Sequence, residues 1–423
     1  PAGLGPVKFD ARVAAFALVA SVLAAVVFAL ASRVSGPRLR PALVAGEVAL
    51  SLVLVTGASL LAASFVKLRG VDPGFDPEDV VTMRVTLPER TYREPHRVAT
   101  FYTSVLDRMR RLPGVEGASI VSTLPLTGGR GGDPFSIEGR PYDASGRTPQ
   151  SARSQAAGEG YFRLMRIPLI AGRDFTASDA ATAPRIAIVN QTLARGFWPA
   201  GDALGKRIVV GAPRPGAAWL TIVGIADDVH ASSLDADPIP QIYTPHAQST
   251  VRSMYLVARG GSAAAIARQV LAVDPEQPVY GVRTLRRHLD DSIAQPRLRA
   301  WMLGAFAALA LGLAAVGIYG VVSHDVALRT REIGIRMALG APDAAATIVR
   351  RGLRIAGAGV ALGVAGSLAL SRSLGSLLYR VDASDPRLLA ASALALSMVA
   401  LVALWVPARR AARVDPAVAL RVE

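Results

Sequence analysis

The chain has no cysteine and only five histidines in 423 residues. The first absence excludes a disulfide framework and any thiolate metal site, and it leaves the compartment open. Neither an HExxH pair nor a GxSxG elbow occurs, so no zinc-peptidase or serine-hydrolase constellation can be assembled. A Walker-type phosphate loop is missing as well. "GDALGKR" (201–207) has the wrong spacing and places Arg207 where a Mg²⁺-binding hydroxyl is required. "GGRGG" (128–132) lacks a following Lys-Ser/Thr helix start, and both runs read as turns. Asp227, Asp228 and His230 are weighed as metal ligands, but three polar residues at a strand end read more simply as a solvated turn. Glu159 and His246 have no neighbours in sequence with which to build a site. Catalytic, cofactor-binding and metal residues are therefore expected to be absent.

Acid is the scarcer charge, with Asp+Glu 32 against Lys+Arg 47 and a formal net charge of +15. This excess is spread along the chain and is no nucleic-acid footprint. Apolar residues, by contrast, are abundant, at 51% with a mean hydropathy of +0.36. The excess falls in five blocks: 13–32, 48–66, 300–322, 355–371 and 388–406. A hydrocarbon core of about 30 Å needs about 20 apolar residues in a helix, so each block predicts a transmembrane span. A signal peptide ending at Ala29-Leu30-Ala31 fits less well, because the run is too long and another span follows at once. Positive-inside reasoning places the arginine-rich segments 33–41, 324–354 and the C-terminal tail in the cytoplasm, where basic loops face anionic lipid. The expected fold class is a polytopic α-helical membrane protein of five spans. A large mixed α/β extracytoplasmic domain is inserted between spans two and three.

That inserted segment is nearly balanced in charge. Strands are predicted at 79–88, 115–126, 185–190, 219–229 and 253–259, with helices at 94–114 and 262–274 and a strand–helix pair at 279–293. The region 127–151 reads as loop. Within the membrane blocks, Glu47 is an intramembrane charge of unknown role; pairing with Arg40 or snorkelling explains it as well as a pathway does. Gly359 and Gly363 form a small-xxx-small face for helix packing. Between two spans lies "RTREIGIRMALGAPD" (329–343). Its apolar Ile333, Ile335, Met337 and Leu339 interleave with Arg331, Glu332 and Arg336. Such a segment can lie on a membrane surface or dock in a partner's groove.

These stretches carry a resemblance. "RTREIGIRMALGA" and the terminal "VDPAVALRVE" resemble FtsX-like permease domains. "FRLMRIPLIAGRDF", "IAIVNQTLARGFWPAGDALGKRI" and "WLTIVGIADDV" are similar to the periplasmic core domain of MacB-type ABC permeases. "PALVAGEVALSLVLVTGASLLAASFVKLRGVDPGF" resembles the span that leads into it. The opening run resembles the last span of a preceding permease half, as in duplicated orphan permeases. The resemblance implies residues 1–41 as that span with its linker, 42–66 as a transmembrane helix and 67–297 as the periplasmic core. It implies 298–416 as the permease domain and 417–423 as a cytoplasmic tail.

It also implies function. The chain would be an inner-membrane permease with a cytoplasmic C-terminus, exporting a cargo by mechanotransmission. ATP and Mg²⁺ would be bound by a partner ABC ATPase. Other partners would be a second permease half, the lipid bilayer and, in efflux systems, a periplasmic adaptor. The ATPase-coupling segment 329–340 would use Arg331, Glu332, Ile333, Gly334, Ile335, Arg336, Met337, Leu339 and Gly340. The family often has Gln where this chain has Glu47, so no role is carried onto that residue. An FtsX-like platform regulating a cell-wall hydrolase is the alternative, and a membrane-anchored enzyme is disfavoured for want of a catalytic constellation.

Overall fold

A computed structural model describes residues 39–127, 131–140, 150–249, 251–328, 344–375 and 378–412. Two compact units emerge. One is Val71–Ala294; the other gathers the described residues 39–70 and 295–412.

The first unit is a soluble domain of two modules. Strand β1 (Val80–Thr86), helix α2 (Pro95–Arg110) and β2 (Val115–Val121) form the first half of one module. Strand β10 (Ser253–Gly260), α5 (Ala263–Val273) and β11 (Val279–Thr284) form the second, followed by the short α6 (Leu285–Ser292). The strands pair antiparallel in the order β11-β1-β10-β2. Two βαβ units in spatial order four-one-three-two give the ferredoxin-like arrangement. Helix α2 forms because Pro95 starts it and Val98, Phe101, Tyr102, Val105, Leu106 and Met109 recur at helical spacing. That stripe is buried with Met83, Val85, Leu256 and, from α5, Ile266 and Val270.

The second module fills the connection between β2 and β10. It comprises β3 (Asp133–Ile137), β4 (Ser151–Ala157), α3 (Tyr161–Met165), β5 (Leu169–Gly172), β6 (Ile186–Asn190), α4 (Gln191–Phe197), β7 (Arg207–Val210), β8 (Leu220–Ala226) and β9 (Gln241–Pro245). The order β4-β3-β7-β8-β6-β9 closes on itself, because β9 also pairs with β4. The result is a six-stranded ring. Phe135, Ile137, Ala152, Ala187, Val189, Ile208, Leu220, Ile222 and Ile242 fill it, with alternate positions used where a strand contributes two. At the end where β6 finishes, Leu193, Ala194 and Trp198 from α4 and its flank close the core. Strand β3 falls within the region 127–151 that reads as loop, and β4, β5, β7 and β9 are not predicted from the sequence.

The second unit holds α1 (Leu39–Arg69), α7 (Ala294–Leu328), α8 (Ala344–Leu374) and α9 (Pro386–Ala412). Their apolar segments correct the count of membrane spans. Among the described residues four helices, not five, are long and apolar enough to cross a bilayer: Pro41–Arg69, Ala294–Leu328, Val349–Ser371 and Pro386–Arg409. The remaining predicted span, 13–32, lies outside the described residues. The sequence reading counts apolar length alone, whereas this count rests on the helices that the described residues form. The large α/β insertion does fall between two of these helices, after α1 and before α7.

Candidate functional site

Helix α1 is the hub of the membrane unit. Half of its apolar segment (50%) is buried within the unit, against 22% for each of the other three helices. Val48 and Leu52 are fully buried, in one cluster with Ala314, Ile318 and Val322 of α7, Ala356 of α8 and Leu396, Ala400 and Leu404 of α9.

The two glycines singled out from sequence lie at this hub. A Cβ on Gly359 would stand 2.6 Å from Val48 Cβ and 2.7 Å from the Ala45 carbonyl oxygen. One on Gly363 would stand 2.8 Å from both the Ala49 oxygen and Leu52 Cβ. Real side chains do not approach so closely, so α8 touches the α1 backbone only because both positions lack a side chain.

Glu47 takes part in a second close approach that the sequence did not reveal. Its carboxylate lies in the space over Gly317 of α7 that a side chain there would fill. One turn on, the Ser51 hydroxyl reaches the Glu47 carbonyl (2.8 Å) and the Ala310 carbonyl of α7 (2.9 Å). Two turns beyond Ser51, Ser392 of α9 contacts Ser59 at 3.4 Å. The only sequence signal for the α7 contact was Gly317 itself, and one glycine in an alanine-rich span carries little information.

The proposed coupling residues Arg331, Glu332, Ile333, Gly334, Ile335, Arg336, Met337, Leu339 and Gly340 lie outside the described residues. Their flanks are described. Helix α7 ends at Leu328 and α8 begins at Ala344. Close to both ends, Arg351 Nη1 meets Asp325 Oδ2 at 2.9 Å and links the two helices.

In the soluble domain the remaining sequence candidates resolve into structural roles. Asp228 accepts from Thr192 N (2.9 Å) and Thr192 Oγ1 (2.7 Å), fixing the start of α4. Asn190 caps the same helix, accepting from Leu193 N, and also accepts from Gln241 N. His230 Nδ1 lies 2.8 Å from the Ala236 carbonyl oxygen. No three His, Asp or Glu side chains among the described residues could hold a metal ion together. Run 201–207 is a turn closed by a Lys206–Asp202 ion pair (3.1 Å), after which Arg207 opens β7. His246 is buried, stacks edge-on against Tyr102, and leaves Nε2 without a hydrogen-bond partner. Burial pushes its imidazole down to about 4.

One arginine was not anticipated. Arg259 of β10 is buried and donates to the carbonyls of Leu164 (3.0 Å), Glu78 (2.7 Å) and Asp76 (3.1 Å). Asp76 Oδ2 also receives Arg166 at 2.7 Å. This network fixes the segment by which the chain enters the soluble domain.

Comparison with known families agrees with this architecture. The description "MacB-like periplasmic core domain" matches residues 42–273, and "FtsX-like permease C-terminal" matches residues 304–416. The chain belongs to the MacB/FtsX-type ABC transporter permeases. It is 28% identical over 272 residues to the macrolide export ATP-binding/permease protein MacB of Marinobacter nauticus, covering 60% of this chain and 41% of that protein. It is 28% identical over 272 residues to the pyoverdine export ATP-binding/permease protein PvdT of Pseudomonas putida, with the same 60% and 41% coverage. The chain thus spans about two fifths of the length of these curated relatives. The periplasmic region of MacB from Actinobacillus actinomycetemcomitans has a TM-score of 0.35 at 12% identity, covering 52% of this chain and 95% of that one.

The matched domains are the non-catalytic, permease parts of such proteins, and they lack nucleotide-binding motifs. The MacB/FtsX-type permease is a polytopic inner-membrane protein, and its large inserted domain is periplasmic.

Proposed function

We propose that this chain transmits ATP hydrolysis by a partner ABC ATPase to its periplasmic domain and so drives export of a cargo. The observation that carries the reading is the order of parts. A MacB-like core follows α1, and an FtsX-like set of helices follows the core. The core is joined to α1 through residues 70–79 and to α7 through Ile293, so both of its connections run to membrane helices. The relatives are named for export of macrolides and pyoverdine. By analogy the cargo is an amphiphile taken up from the periplasmic side.

Four spans beginning with α1 put the arginine-rich segment before it and the C-terminal tail on the same side. Positive-inside reasoning makes that side the cytoplasm. Segment 329–340 then faces the ATPase, with the Asp325–Arg351 pair at its base. Glu332 is the lone acid among Arg329, Arg331 and Arg336, so it would meet a basic site on the ATPase.

The test is co-purification of the cognate ATPase from membranes with Glu332→Lys and Gly334→Leu variants. Charge reversal in a contact removes about 2 kcal/mol, roughly thirtyfold in binding. Both variants are expected to insert normally and keep a protease-resistant periplasmic domain, while losing the ATPase. Undiminished co-purification of both would leave 329–340 as an interfacial helix.

A further inference from the structure

The six-stranded ring has two ends, and among the described residues a helix plugs one of them. Helix α4 covers the end where β6 finishes. At the other end, where β6 and β8 begin and β7 and β9 finish, the structure has a cleft of about 670 Å³. Its floor is Ser154, Leu220 and Thr244, from strands β4, β8 and β9. Its walls are the β7–β8 connection, residues 211–219, and the segments around Arg185 and Gln248.

The walls are held in place. Gly211 N donates to the Pro134 carbonyl (2.6 Å), and Ser136 Oγ donates to the Gly211 carbonyl (2.8 Å). Gly211 and Gly216 have φ of 93° and 77°, a left-handed conformation that glycine adopts without strain, and this lets the connection fold over the mouth. Across from it, buried Gln248 accepts from Ile186 N (3.1 Å) and donates to the Pro184 carbonyl (3.1 Å). Arg185 Nη1 donates to the Gln248 carbonyl at 3.3 Å, which orients the guanidinium along the rim.

Charge is one-sided here. Arg185 and Arg214 both line the cleft, and among the described residues no Asp or Glu does. Val209, Val210, Leu220 and the alanines of the connection supply an apolar lining. A cleft of this volume, lined about equally by polar and apolar groups, suits a ligand that has both a charged head and an apolar body. We infer that the open mouth of the ring is a binding site for an amphipathic organic anion, its carboxylate, sulfonate or phosphate held between Arg185 and Arg214 and its apolar body against Val209, Val210 and Leu220. Planar guanidinium forks suit such oxyanions. Binding needs neither ATP nor the partner ATPase, so it stands or falls separately from the coupling proposal.

The test is isothermal titration of the whole chain in phosphatidylcholine nanodiscs, with empty nanodiscs subtracted. The probes are 1-naphthalenesulfonate and its neutral counterpart 1-naphthalenemethanol. One sulfonate per chain is expected, with the alcohol at least about tenfold weaker. Arg214→Gln, at the exposed connection, and Arg185→Gln should each weaken the sulfonate about tenfold, and Ala218→Trp should block it by filling the wall. Unaltered circular dichroism and melting of Arg214→Gln guard against a folding artefact. Equal affinity for sulfonate and alcohol, unchanged binding in the double arginine variant, or no saturable binding up to about 1 mM would each overturn the proposal.

Discussion

The periplasmic unit and the membrane unit are held together by opposite means. In the periplasmic unit large side chains fill space: Tyr102, Phe135, Tyr161, Phe162 and Tyr243 are all fully buried. Buried polar groups such as Arg259 and Gln241 are satisfied by partners. In the membrane unit the decisive positions are those with no side chain at all, Gly317, Gly359 and Gly363. Water explains the difference. Burying apolar surface gains free energy when the alternative is water, and gains almost none when the alternative is a lipid tail. Helices in lipid therefore associate through close backbone approach and a few hydrogen bonds, and bulk at the contact is harmful.

The strongest way to break this contrast is to add bulk at the α1–α8 contact. Gly363→Leu and Gly359→Leu should each destabilise the membrane unit by about 1–3 kcal/mol, and the double variant should fail to assemble. In a soluble helix the same change would be favourable, because leucine is a better helix former than glycine. Gly357 of the same helix has nothing within 4 Å of its Cβ position, so Gly357→Ala should be neutral or slightly stabilising. Melting in detergent, followed by helical dichroism, reads all four variants. Equal tolerance at 357 and 363 would remove the packing argument.

Next in size is an effect confined to the periplasmic unit. His246 lies between the two modules, stacked on Tyr102 of α2 while its own backbone N donates to Ala157 of β4. Its folded pKa, about 4, is below the ordinary 6.5. The unfolded chain therefore binds a proton that the folded chain refuses. This site leaves stability undiminished above pH 6.5 and subtracts from it progressively as pH falls towards 4, by up to about 3 kcal/mol. His246→Phe keeps the aromatic contact and removes the titration. Chemical denaturation from pH 7.5 down to 4 should give a shallower decline for the variant, and parallel curves would show that the histidine titrates freely.

Legibility from sequence divided along the same line as the packing. The alternating β1 and β10 and the amphipathic α2 were visible because one face meets water and the other a core, which writes a period into the sequence. The long apolar helices α1, α7, α8 and α9 were visible for their length. The ring was not. Strand β9, QIYTP, is buried at every position, so nothing alternates. Strands β3 and β4 are rich in small and polar residues and flank a Gly- and Pro-rich stretch that reads as loop. Closure by β4–β9 pairing is a long-range fact with no local signature. The four-residue spacing of Gly359 and Gly363 can be seen in the sequence, whereas the contact at Gly317 needs the position of Glu47 on another helix.

The smallest expected effect sharpens the comparison from the membrane side. Asp325 and Arg351 are partly exposed, with side chains 28% and 43% accessible. Such a pair contributes about 0–1 kcal/mol, far less than the glycine contacts. Its value would be positional, since it joins α7 to α8 close to the connection that carries 329–340. Asp325→Arg places like charges together and should lower the melting temperature slightly. Adding Arg351→Asp restores opposite charges in reversed order, so the double variant should recover what the single variant lost. The double-mutant cycle isolates this term because the two residues touch. A coupling energy of zero would make the pair incidental, and one as large as a Gly363→Leu defect would mean that charge, and not close backbone approach, holds the helices at this end.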